Sequence, residues 1–315
     1  MMSEQSIHMG RIWRRACVVC LCMATALGWP ASPAQAQRLT DEAFAAAIHD
    51  LAAADPQTRV TALDLLGRRG WRRKDDIVPH LRRLLHSDPD WRVRASAGRA
   101  VGRLSARDAV PELVAALRDS QVEVRVVAAA ALWRLPDVAA VPSLVHLTLD
   151  PDASARQWAV LALGVARDPR SVPGLVALLT DPVADVRMDT IRSLGRIGHP
   201  SALAPLAALA ADTARPVEER LEALNSIASL TGPDKVNVLV HTLDDADAQI
   251  RLRATEALGQ VGDALAVPAL RRRRDVERDA GVRVALDAAV SAIRIRARER
   301  RQGHPGDDAA PTPAP

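Results

Sequence analysis

Three histidines, His80, His146 and His241, are the first residues in this 315-residue chain whose type suggests chemistry, since imidazoles at matched positions can bind a metal. They fall far apart along the chain, and helical layers stack about 10 Å apart, so they do not converge on one ion. No HExxH occurs, and His86 lies six residues from His80, a spacing that does not share a helical face. The three cysteines, Cys17, Cys20 and Cys22, all sit in one apolar run near the start. There is no GxSxG, and carboxylate pairs such as Asp75-Asp76, Glu218-Glu219 and Asp244-Asp245 stand where they cap helices or stay hydrated. The expectation is a protein without catalytic residues, metal or cofactor.

Two other residue classes remain as candidates. Trp71, Trp91, Trp133 and Trp158 stand out in a chain that is 2% aromatic with no Tyr and one Phe, and exposed Trp anchors interfaces. With His146, they are the candidate protein-binding residues, the alternative being that the indoles fill gaps between elements. Arg271, Arg272, Arg273 and Arg274 form a basic run that could meet an acidic partner or lipid headgroups, against the reading of a solvated basic cap. From 37 to 270 the chain carries 28 basic and 30 acidic residues, a balance that gives no pull toward nucleic acid.

The elements that must position these residues repeat. Arg59, Arg94, Arg125, Arg156, Arg187, Arg220, Arg251 and Arg283 recur every 31 to 35 residues. Eight residues after the arginine stands Gly67, Gly102, Gly164, Gly195 or Gly259, with Trp133, Ala228 and Ser291 in the other units. Seventeen after it stands Pro111, Pro142, Pro173 or Pro268, with Pro79 and Pro205 displaced by insertions. Each unit reads as two helices. In the first, positions three, six and seven after the arginine share one apolar face, as in Ala97, Ala100 and Val101, and the glycine ends the helix. The second starts at the proline, whose missing N–H is harmless there, and carries pairs such as Leu113 and Leu117. Five arginines follow a loop aspartate by six residues (Asp88, Asp119, Asp150, Asp181, Asp245), so the ladder is expected to tie loop to neighbouring unit through bidentate pairs rather than to bind an anionic polymer.

The predicted fold is an all-α, right-handed solenoid of about eight two-helix units. An extra helix in Leu39 to Ala54, started by Thr40 or Asp41, caps one end, and a longer last helix through Arg301 caps the other. Three segments result: a signal peptide over 1–36, the solenoid over 37–301, and a disordered tail over 302–315. The first rests on Arg11, Arg14 and Arg15, the apolar run Ala16 to Leu27, and Ala34-Gln35-Ala36 as cleavage site. Removal of 1–36 would take all the cysteines with it and deliver a periplasmic or secreted chain; an uncleaved segment would leave it anchored.

The motif Val186-Arg187 through Leu194-Gly195-Arg196-Ile197-Gly198 to Pro205-Leu206, repeated from Ile250-Arg251 through Leu258-Gly259 to Val267-Pro268, resembles the short HEAT-like repeat of the phycobilisome lyase group over roughly residues 39 to 301. That resemblance implies a repeat fold that mostly serves as a protein-binding scaffold, with bilin attachment a minority use. The expected function is therefore a non-catalytic scaffold of the bacterial cell envelope that binds another protein through a pre-formed surface. The alternatives are a lyase-like or enzyme-accessory protein with a pocket between repeats, and a module that binds an anionic polymer by its basic end.

Overall fold

The computed structural model describes residues 39–302. The proposed signal peptide with its cysteines, and the tail from residue 303 on, lie outside the described residues. Helix α1 (Asp41–Asp50) comes first, with the Thr40 side chain accepting from the Ala43 amide at its N-terminus. Seven helix pairs follow: α2 (Pro56–Arg69) with α3 (Lys74–Ser87), α4 (Trp91–Leu104) with α5 (Val110–Ala116), α6 (Val122–Arg134) with α7 (Val141–Leu147), and α8 (Ala153–Ala166) with α9 (Val172–Ala177). Then come α10 (Ala184–Ile197) with α11 (Leu203–Ala211), α12 (Val217–Ser229) with α13 (Asp234–Thr242), and α14 (Ala248–Val261) with α15 (Val267–Val276). The eighth arginine lies in one long helix, α16 (Ala280–Gln302), so the last unit is a single helix that also takes in Gln302. The result is an all-α solenoid, and among the described residues no helix is long and apolar enough to cross a membrane.

Alanine and leucine divide the core between them. Ala97, Ala100, Val101, Ala128, Ala131, Leu132, Ala254, Ala257 and Leu258 are buried on the first helices, and each first helix packs on the next unit's first helix. Leu113, Leu117, Leu175 and Leu179 fill the space under the second helices. None of these short helices could bury a full apolar face alone, which is why the stack shares one core.

The recurring glycine does not end its helix. It lies three residues before the end, where Gly70, Ser105, Arg167, Gly198 and Gly262 cap the first helices, and Ser105, Arg167 and Gly198 do so in the left-handed region. The glycine instead admits the next unit. A Cβ on Gly102 would stand 3.3 Å from that of Ala131, and one on Gly195 would stand 2.7 Å from that of Ser226. Ser226 lies close enough to donate to the Ile191 carbonyl at 2.9 Å. The second helices also differ from expectation: in α5, α7, α9 and α15 a valine precedes the proline, with a short 3-10 turn ahead of it, as in Arg107–Ala109. Helix α3 starts at Lys74, so Pro79 falls inside it, because Asp75 and Asp76 supply a favourable acidic first turn upstream.

The arginine ladder is built as a chain of clamps. In Arg94, Nε and Nη2 donate to Asp119 at 2.7 and 2.8 Å while Nη1 donates to the Asp88 carbonyl at 2.8 Å. Each guanidinium thus joins its own unit's loop to the carboxylate of the following loop. Arg59 with Asp88, Arg125 with Asp150, Arg156 with Asp181 and Arg251 with Glu277 repeat the bidentate form, and Arg187 with Glu219 and Arg220 with Asp245 continue the series. The loop aspartates are held from behind as well, for Asp119 accepts from the Gln121 amide and Asp181 from the Val183 amide. Among the described residues no unit follows Arg283, which is exposed.

These clamps make the fold acid-sensitive. The Arg251 hydrogen bond lowers the Glu277 carboxyl to about 2 from its ordinary 4.5. At Asp119, Asp150 and Asp181 burial pushes the carboxyl up, but the arginine and amide hydrogen bonds together outweigh it and the net direction is down. Between pH 4.5 and about 2 the unfolded chain takes up a proton at Glu277 that the folded chain refuses, so stability is fully present above 4.5 and declines through this window. Urea unfolding midpoints taken from pH 6 to 2.5 should fall accordingly, and an Arg251→Gln variant should show a shallower fall over the same range.

Candidate functional site

The sequence candidates are scattered, and the fold brings two of them together. Trp71 stands alone in the turn after α2, 57% exposed, with Arg72 over its ring at 4.9 Å. Next to it, Arg73 stacks on Phe44 at 3.6 Å and pairs with Asp41 and Asp76, which fastens α1 to the first unit. Trp91 opens α4 and packs half-buried against the core, so it fills a gap. His146 is exposed at the end of α7 and does not line the groove described next. Of the basic run on α15, Arg273 pairs with Glu277 and Asp244 and Arg274 with Asp287, leaving Arg271 and Arg272 as the exposed pair without a carboxylate among the described residues.

Trp133 and Trp158 meet edge to face, with ring centroids 6.0 Å apart and planes inclined by 70°. Trp133 occupies the slot in which five other units carry glycine, so its indole is 37% exposed and meets Trp158 on the next unit's first helix. Beside the pair a shallow open groove runs across α4, α6 and α8. Its floor is Gly98, Gly102, Val127, Ala130 and Ala131, and its remaining lining is Arg99, Arg103 and Arg134. Small residues make the floor low because two unit-to-unit contacts at Gly98 and Gly102 pass directly beneath it: a Cβ on Gly98 would stand 3.0 Å from Val127.

The charges of this groove differ from those of the ladder. Arg99 donates to Ser96 Oγ at 2.6 Å and Arg103 pairs with Asp64 at 3.1 Å. Burial depresses the Arg99 pKa, with the neighbouring Arg103 acting in the same direction against a pull from Asp64. Burial and Arg103 likewise depress Arg134. By contrast, hydrogen bonds to carboxylates raise ladder residues such as Arg94, Arg125 and Arg156. Cationic side chains in a partly desolvated, apolar groove favour an anionic ligand group. These three arginines were missed among the sequence candidates. Their signal was present: Arg103 and Arg134 share the ninth position after the anchor with Arg68 and Arg196.

With this geometry in view, known proteins give the frame. The family model for HEAT repeats matches residues 42–133, 78–164, 110–188, 141–225 and 214–291. The chain belongs to the HEAT repeat family. A solved engineered protein shares the fold, with a TM-score of 0.51 at 21% identity over 81% of both chains. The complex of CpcE and CpcF of phycocyanin lyase from Nostoc sp. PCC7120 is also similar, with a TM-score of 0.46 at 21% identity over 84% of this chain and 98% of that one. A curated relative, deoxyhypusine hydroxylase from Arabidopsis thaliana, is 41% identical over 59 residues, a stretch that makes up 19% of this chain and 19% of that protein. As a HEAT-repeat scaffold, the chain presents surfaces shared by several units, and the Trp133–Trp158 groove is one that spans three of them.

Proposed function

We propose that this protein is an exported, non-catalytic scaffold of the bacterial cell envelope, which holds a polypeptide partner on the groove flanked by Trp133 and Trp158. The observation that carries the reading is Trp133 itself: a large indole stands where the repeat calls for glycine, partly exposed and braced by a second indole over a floor of small residues. Rigid aromatic anchors next to arginines are the residue types that dominate interface energetics. The repeats are already folded, so little ordering cost opposes association. Export is supported by the basic stretch, apolar run and Ala34-Gln35-Ala36 of the first 36 residues. A small-molecule pocket between repeats, as a lyase-like activity would need, is the reading that the same experiment tests against.

That experiment is affinity capture from a crosslinked envelope extract, with a Trp133→Ala/Trp158→Ala variant beside the unaltered chain. A protein retained by the unaltered chain should be lost or reduced about tenfold in the variant, corresponding to removal of roughly 1.4 kcal/mol or more of anchor energy. Equal retention by both proteins would remove the groove from the function.

A further inference from the structure

Residues 303–315, Gly-His-Pro-Gly-Asp-Asp-Ala-Ala-Pro-Thr-Pro-Ala-Pro, lie outside the described residues, but their chemistry matches the groove. Asp307 and Asp308 are adjacent acids, and Pro311, Pro313 and Pro315 alternate with small residues. Sequences of this kind favour the polyproline II conformation, which docks on aromatic-lined grooves at low entropic cost because it is pre-formed. The groove offers an edge-to-face pair of indoles and, among its ten lining residues, three arginines, of which Arg103 already pairs with Asp64. Polarity and shape therefore agree on both sides: prolines against indoles, carboxylates against guanidinium groups.

Distance decides which copy supplies the segment. Helix α6 carries Trp133, and α16 lies five first-helix layers further on, which is about 40–50 Å at 8–10 Å per layer. From Gln302 to Asp308 the chain spans at most about 22 Å even when fully extended. The acids cannot reach Arg99 of their own chain.

We propose that the acidic, proline-rich segment 303–315 of one chain occupies the Trp133–Trp158 groove of a second copy, with Pro311 and Pro313 on the indoles and Asp307 and Asp308 facing Arg99. The proposal rests on the reading that the groove binds polypeptide, and it names the occupant. Donor segment and acceptor groove are different surfaces, so the contact is heterologous and joins copies into open chains or rings.

The test uses a synthetic peptide of residues 303–315 titrated into the chain, read by tryptophan fluorescence, together with sedimentation of the full chain against one ending at Gln302. The expected result is a saturable signal change that is absent in Trp133→Ala. A peptide carrying Asp307→Asn and Asp308→Asn should bind about tenfold more weakly, as should the original peptide at high salt. Concentration-dependent association of the full chain should vanish in the shortened one. Arg99→Glu should reverse the preference toward an Asp307→Lys/Asp308→Lys peptide, and the peptide variants keep the test valid should that protein variant misfold. Absence of saturation up to about 1 mM peptide, equal binding of the Asn peptide, or a full chain that stays monomeric throughout would each overturn the proposal. If the peptide is silent while envelope capture still depends on Trp133 and Trp158, only the occupant is wrong and the protein-binding reading stands.

Discussion

Replacing Arg156 with Ala should destabilise the protein by about 3 kcal/mol or more, as expected of breaking a buried ion pair. The side chain is 11% exposed and its partner Asp181 is 3% exposed, so truncation strands a buried carboxylate. It also removes the donor to the Asp150 and Pro151 carbonyls, at 2.9 and 3.0 Å, that closes the preceding loop. Two neighbouring units loosen together, and in a repeat array that interface term contributes directly to cooperativity. Arg156→Lys should recover only a small part of the loss, because an ammonium cannot present the planar fork that spans a carboxylate and a carbonyl at once. Arg283→Ala at the exposed end of the ladder should change stability by no more than about 0.5 kcal/mol. Urea denaturation of the three variants, analysed for both midpoint and slope, checks this; equal loss in Arg156→Ala and Arg283→Ala would refute the clamp.

A single methyl group should separate two glycines at the same repeat position. Alanine is favoured over glycine inside a helix by about 1 kcal/mol, so without other constraints both substitutions stabilise. At Gly195 the new Cβ would lie 2.6 Å from Ser226 Oγ, 2.7 Å from its Cβ and 2.8 Å from its Cα. The backbone atom cannot swing aside, so the two helices must move apart, and the buried hydrogen bond from Ser226 to Ile191 is put at risk. Overpacking costs about 1–3 kcal/mol and a buried polar group left unpaired a similar amount, which together exceed the propensity gain. Gly195→Ala should therefore lose about 2 kcal/mol. At Gly259 the new Cβ would lie 3.3 Å from Ala289, a gap that a shift of a few tenths of an ångström accommodates. Gly259→Ala should be neutral or gain up to about 1 kcal/mol. Thermal melts of the two variants test the contrast, and a stabilised Gly195→Ala would show that the first-helix spacing is not set by contact at this position.

Comparison of these residues shows where sequence reading succeeds. The anchor arginines and the loop aspartates are both visible as strings, and bidentate chemistry predicts that they tie neighbouring units; the structure shows that each carboxylate pairs with the arginine of the preceding unit, while the arginine six residues after it takes its backbone carbonyl. The helix pairs and both end helices follow from period and apolar spacing, since a 31-residue period leaves room for only two short helices and a pair of loops, but the eighth unit is one long helix and not a pair. The role of the eighth-position glycine was not legible, because a glycine near a helix end has the same one-letter signature whether it caps the helix or admits a neighbour. Contact distances to the next unit distinguish the two, and position eleven turns out to hold the cap. Pro79 was misplaced for a related reason: an acidic first turn starts α3 earlier than the proline would.

By itself, then, the sequence determined the repeat, the helix pairs, the clamp chemistry and the shortage of aromatics that makes four tryptophans conspicuous, since all of these are local patterns that the chain carries in one dimension. Tertiary structure alone decided which tryptophans share a surface. Trp133 and Trp158 are 25 residues apart and come to 6.0 Å because consecutive first helices stack, whereas Trp71 and Trp91, closer in sequence, end in separate environments. Stacking likewise gathered Arg99, Arg103 and Arg134 from two units along one groove, where burial lowers the pKa of Arg99 and Arg134 while carboxylate hydrogen bonds raise that of ladder residues such as Arg156. Residue type announces a charge or a ring; only the packing of one unit on the next determines what that group faces.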